Sequence, residues 1–93
     1  MPQTTETIMA AVVEGLKARG VTAYLEYPGY ISIPVGTITL DCGTANGTWD
    51  CDCVDFDDNV VETIESTLPG DCADVERIVN HLTITYTECE RAS

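Results

Sequence analysis

Apolar positions along this chain follow two different periods. Near the start they recur every fourth residue: Ile8, Val12 and Leu16 form an i, i+4, i+8 stripe flanked by Ala11 and Gly15. That spacing predicts an amphipathic helix from about Thr5 to Arg19. Thr4 or Thr5 caps its first turn, and Glu6 suits the positive end of its dipole. Lys17 and Arg19 suit the other end, and Gly20 supplies a left-handed stop.

From Val21 onward the period is two. Val21, Ala23, Leu25 and Tyr27 alternate with Thr22, Tyr24 and Glu26, and Pro28-Gly29 turns the chain. Ile31, Ile33 and Val35 then alternate with Tyr30, Ser32 and Pro34. A three-residue loop, Pro28 to Tyr30, pairs Tyr27 with Ile31 and Leu25 with Ile33. A two-residue loop sets Leu25 against Ser32, so apolar matching favours the odd loop. Past Val35 the apolar parity changes to Ile38, Leu40 and Cys42, which requires an extra residue; Gly36 is the natural bulge or tight turn.

Asn46-Gly47 is the strongest local signal, being the preferred pair for a two-residue type I′ hairpin. The register it sets puts Ala45 opposite Thr48, Thr44 opposite Trp49, Cys42 opposite Cys51 and Leu40 opposite Cys53. One face then carries Ile38, Leu40, Cys42, Trp49, Cys51 and Cys53, a core face. The other carries Thr39, Asp41, Asp50 and Asp52, facing solvent.

Asn59 with Glu62 three residues on resembles a capping box, and Val60, Val61, Ile64 and Leu68 give an apolar face. A short helix is therefore expected, ended by Pro69-Gly70. Asp71 caps a last helix with Cys72, Val75, Ile78, Val79 and Leu82 inside. Thr83 to Thr87 alternates threonine with Ile84 and Tyr86, the pattern of a short edge strand. The expected architecture is α+β in one domain. It has an N-terminal helix, a three- or four-stranded antiparallel meander, two short C-terminal helices and a terminal strand.

Composition adds charge to this picture. The chain has 93 residues, 44% of them hydrophobic, which is ordinary for a globular protein. Sixteen acids against four bases give a net charge of −12, and no Lys or Arg lies between Arg19 and Arg77. That middle stretch carries a one-signed field. Direct binding to nucleic acid or anionic lipid is disfavoured, since both need basic contacts. A basic protein surface or a cation fits, as does plain solubility or salt adaptation. No apolar run reaches the roughly 18–20 residues of a membrane span, and the first residues lack a basic leader. The expectation is a cytoplasmic protein. Its five cysteines, an odd number, then read as thiols rather than a disulfide framework.

Cys42, Cys51 and Cys53 share the core face. Their readings are buried thiols, a cross-strand disulfide at Cys42 and Cys51, or a zinc site completed by Cys72 or His81. The core setting favours thiols, and no cofactor or metal is expected. Asp55, Asp57 and Asn59 match the first, third and fifth positions of a calcium loop, but Val60 and Ser66 stand where Gly and Glu are required. Helix capping accounts for those acids better. No catalytic constellation is visible around the lone His81, so no enzyme is expected.

The remaining candidate is the acidic hairpin face. Asp41, Asp50 and Asp52 form a compact negative array, continued by Asp55, Asp57 and Asp58 toward the next element. Alternate strand residues repeat at about 6–7 Å, so such an array can imitate nucleic-acid phosphates. Tyr24 and Tyr30, on the other side of the meander's turn, are the next place to seek an interface.

In architecture and charge, the order helix, meander, two short helices over Glu6 to Leu82 resembles small acidic phage-encoded proteins. The nearest in plan are the type II-A anti-CRISPR inhibitors, which block the DNA-binding cleft of a CRISPR nuclease. No sequence motif carries the likeness, so no residue role comes from it. The resemblance implies a non-enzymatic inhibitor or modulator in a host cytoplasm, docking on a basic surface of a host protein. A small structural protein that oligomerises is the alternative, and a cysteine-based metal or redox module is the third reading.

Overall fold

The computed structural model describes residues 5–26 and 29–92. The chain runs α1 (Thr5–Ala18), β1 (Tyr24–Glu26), β2 (Tyr30–Val35), β3 (Ile38–Gly43), β4 (Asp50–Val54), β5 (Val60–Ile64) and α2 (Val75–Ala92). The strands form one antiparallel meander in the order β1-β2-β3-β4-β5. The fold is α+β, with five strands and two helices among the described residues.

Helix α1 forms where the four-residue period predicts it. Met9, Val12, Val13 and Leu16 are its buried side, with Ile8 and Ala11 at the margin. Gly20, at φ +79°, ends it, while Val21 N–H bonds Leu16 C=O and Gly20 N–H bonds Lys17 C=O. These are the paired bonds of a Schellman stop. The capping expectation for Thr4 lies outside the described residues.

Three turn expectations meet the structure differently. The β1–β2 register differs from the expected one: Leu25 pairs with Ile31, not Ile33, and Glu26 pairs with Tyr30. The expected turn residue Pro28 and the expected partner Tyr27 lie outside the described residues. Gly29, at φ +105°, takes the last loop position. Gly36, at φ +61°, makes a two-residue turn that pairs Val35 with Ile38 and accounts for the parity change. The β3–β4 register is as expected, Leu40 opposite Cys53 and Cys42 opposite Cys51. Its connection is not a type I′ hairpin, however. Strand pairing stops at Gly43 and Asp50, and only Gly47 of the central pair has positive φ, at +84°. The physical reason is a competing partner. Residues 66–70 cross this loop, with Trp49 N–H bonding Leu68 C=O at 2.9 Å and Gly70 N–H bonding Gly47 C=O at 2.9 Å.

The C-terminal third departs most. The expected helix at Asn59 is strand β5, and the expected strand at Thr83–Thr87 is the middle of α2. Asp55 explains the first change. Its Oδ1 accepts the N–H of Asp57 at 2.9 Å and of Asn59 at 3.0 Å, closing a hairpin turn in which Asp58 has φ +61°. The β-branched run Val60-Val61-Glu62-Thr63-Ile64 then pairs with β4. Asp74, not Asp71, caps α2, through the Arg77 N–H at 3.2 Å.

Both helices cover the sheet face that carries Ile31, Ile33, Leu40, Cys42, Cys51 and Cys53, all buried. Ile78, Val79, Leu82, Thr85 and Cys89 line the core side of α2. The helices approach closely where Gly15 meets Val79: a Cβ at Gly15 would lie 2.7 Å from Val79 Cγ2. Trp49 fills the end of the core, its indole N–H without an acceptor among the described residues. No helix among the described residues is long and apolar enough to cross a membrane.

Candidate functional site

The second face of the sheet is uncovered. Register places Tyr24, Ser32, Asp41, Asp52 and Thr63 in one row across all five strands. Gly43 opposite Asp50 belongs to the neighbouring row. A side chain at Gly43 would fill the space beside Tyr30, since its Cβ would come within 3.5 Å of Tyr30 Cβ. Glycine there leaves a concavity of about 230 Å³ lined by Tyr30, Asp41, Gly43, Ala45, Asn46, Asp50 and Asp52.

The three hairpin aspartates are held differently. Asp50 Oδ1 accepts the Thr48 hydroxyl at 2.7 Å and the Ser66 N–H at 3.0 Å. These bonds, the Thr48 one foremost, hold its carboxyl below the usual carboxylate range. Asp52 Oδ1 accepts the Thr63 hydroxyl at 2.9 Å. Asp41 has no hydrogen-bond partner among the described residues, and it directly opposes Asp52. Partial burial, then the charges of Asp52, Glu26 and Asp58, push its carboxyl up. Burial and the charges of Asp41, Glu26 and Asp58 raise the Tyr30 phenol in the same way. The only ion pair found among the described residues, Lys17 with Glu14 at 3.9 Å, lies on α1.

Of the six aspartates singled out in the sequence, Asp41, Asp50 and Asp52 converge on the concavity. Asp58 contributes its field to Asp41 and Tyr30 from the β4–β5 turn. Asp55 spends its carboxylate on that turn, and Asp57 is exposed there. Helix capping is therefore not their role. Tyr30 lines the acidic concavity itself, and Tyr24 shares a row with Asp41, so the tyrosines are part of this face. Their parity with Ser32 was the available signal. The brace from Ser66 had none, because it depends on residues 66–70 folding back over the loop.

On the covered face, Cys42 Sγ and Cys51 Sγ lie 2.7 Å apart, and Cys53 lies near enough to Cys89 of α2 for the two thiols to influence each other. Cys72 and His81 do not complete this group. Among the described residues no three His, Cys, Asp or Glu side chains are placed to hold a metal ion. All five cysteines are free thiols. The contact with Cys51, then burial, raise the Cys42 thiol well above its usual range. Burial is the main cause that pushes Cys53 up to about 11.

Set against protein families, curated proteins and solved structures, the chain matches none.

Proposed function

We propose that this protein acts by binding, without catalysis, and that the open sheet face receives a basic surface of another protein. One observation carries the reading. Asp41, Asp50 and Asp52 converge from two paired strands on a concavity whose lining includes no Lys, Arg or His. Tyr30 and Asn46 at its rim supply an aromatic wall and an amide. A lysine or arginine side chain suits that chemistry. It would gain charge-assisted hydrogen bonds and a flat ring to lie against. Asp58 extends the same field, with Asp55 and Asp57 beside it. In its narrower form, the proposal has this face occupying a nucleic-acid-binding groove of a host protein as an inhibitor.

Self-assembly is the competing reading, and one observation favours it. Edge strand β5 exposes Val60 and Val61, with Phe56 exposed in the preceding turn. Against it, each copy brings a charge of −12 to the contact.

The test is a titration with a short oligoarginine peptide, followed by backbone amide shifts. Shifts should concentrate at Tyr30, Asp41, Gly43, Asp50 and Asp52. The triple variant Asp41→Asn, Asp50→Asn, Asp52→Asn should weaken binding about tenfold or more at low salt. A charge-matched control, Glu65→Gln, Asp71→Asn, Glu88→Gln, should weaken it far less. Equal losses in the two variants would mean that only total charge matters and that the face is solvated surface.

A further inference from the structure

Cys42 and Cys51 are direct register partners on β3 and β4, on the helix-covered side of the sheet. Their sulfurs are 2.7 Å apart, and both are free thiols. A disulfide bond is about 2.05 Å, and sulfurs of direct register partners that already meet can reach it by a small side-chain adjustment. The backbone pairing already holds the two strands in place for it. We propose that Cys42 and Cys51 form a reversible thiol–disulfide site, which a small-molecule disulfide converts to a cross-strand bond.

The chemistry is two exchanges. One cysteine loses its proton to solvent, and its thiolate attacks a sulfur of the oxidant, expelling one small thiolate. The other cysteine, likewise deprotonated, then attacks the protein-side sulfur of that mixed disulfide and expels the second. Two protein thiols are oxidised to one disulfide, and the oxidant is reduced to two thiols. Both cysteines are buried, at 0% and 1% exposure, so the first exchange needs α2 to lift from the sheet. Closed, the protein protects the pair; open, it reacts. The rate should therefore rise in urea kept below the unfolding midpoint.

Cys53 and Cys89 supply an internal comparison, because they are also neighbours but lie on a strand and a helix. No strand pairing fixes their separation when α2 lifts, whereas Cys42 and Cys51 stay opposed. The bond would also sit directly behind the acidic concavity, since the strand segments read Asp41-Cys42-Gly43 and Asp50-Cys51-Asp52. The inference does not depend on what that concavity binds.

The experiment incubates the reduced protein with oxidised glutathione, then quenches with acid and alkylates after unfolding. The intact mass before alkylation should fall by two hydrogens, about 2 Da. Cleavage before aspartate separates the three sheet cysteines into segments Asp41–Trp49, Asp50–Cys51 and Asp52–Val54. The first two should be found joined, with Cys53, Cys72 and Cys89 alkylated. Cys89→Ala should still close the bond, and Cys51→Ala, if folded by circular dichroism, should not. The wild-type map decides alone if Cys51→Ala does not fold. A cross-link between Cys53 and Cys89 would overturn the proposal. So would glutathione left on Cys42 or Cys51, or an unchanged mass after incubation in sub-midpoint urea.

Discussion

Asp41 shows how one residue can work against the fold that positions it. Its carboxyl is raised by burial and by Asp52, Glu26 and Asp58. A raised native value means the folded protein holds the proton more tightly than the unfolded chain. The ionised group thus opposes folding at neutral pH, and the penalty fades as pH falls through the native value. Asp41→Asn removes the penalty. At pH 7 it should raise the unfolding free energy by about 0.2–1 kcal/mol, a range that allows for solvent screening. The gain should shrink as pH falls, because protonation then does the same to the wild type. A gain of equal size at pH 7 and pH 3 would show that charge is not the cause. Asp50 has the opposite sign: Thr48 and Ser66 lower its carboxyl, so its contribution is present above the unfolded value and is lost as pH falls through the native one. Two aspartates on one hairpin thus favour different pH ranges.

At the scale of elements, the first half was legible and the last third was not. The four-residue period from Ile8 gave α1, and alternation from Tyr30 to Cys53 gave β2, β3, β4 and the split into core and acidic faces. The misread elements are those where a capping signal competed with propensity. Asn59 and Glu62 have capping-box spacing, yet four of the five residues Val60 to Ile64 are β-branched. Asp55, four residues before Asn59, had already committed the backbone to a turn. In α2 the threonines misled. Thr83, Thr85 and Thr87 favour strands in isolation, but each hydroxyl bonds the carbonyl four residues back, at 2.7, 3.1 and 2.9 Å. The spacing Ile78, Leu82, Thr85, Cys89 was the helical signal, and Thr85 on the core side disguised it. Reading α2 as ended at Leu82 also removed Cys89 from the core. The corrected start of α2 makes a direct prediction. Asp74→Ala should cost about 1 kcal/mol, read from the urea midpoint by the fluorescence of Trp49, while Asp71→Ala should cost much less. Equal costs would return the cap to Asp71.

For the whole molecule, the same charges should act with opposite sign on folding and on binding. The chain measures 40 × 26 × 23 Å and carries −12. The screening length is about 30 Å at 0.01 M salt and about 8 Å at 0.15 M. At low salt, each acid therefore feels acids across the molecule; at physiological salt it feels its neighbours only. Sodium chloride raised between those concentrations should stabilise the fold, visible as an increase in Tm, because unfolding relieves self-repulsion that salt otherwise screens. The triple variant Asp41→Asn, Asp50→Asn, Asp52→Asn takes the charge from −12 to −9, since three negative charges are removed. Its Tm should start higher and climb less with salt. Binding to a basic partner should weaken over the same range, because its attraction is screened too. Chloride is the suitable anion, since sulfate stabilises proteins by exclusion from their surface whatever their charge. A wild-type Tm that stays flat or falls between 0.01 and 0.15 M would mean that the acids are dispersed well enough not to strain the fold. A Tm that rises equally in wild type and triple variant would place the repulsion outside the hairpin, in the acids of the turns and of α2.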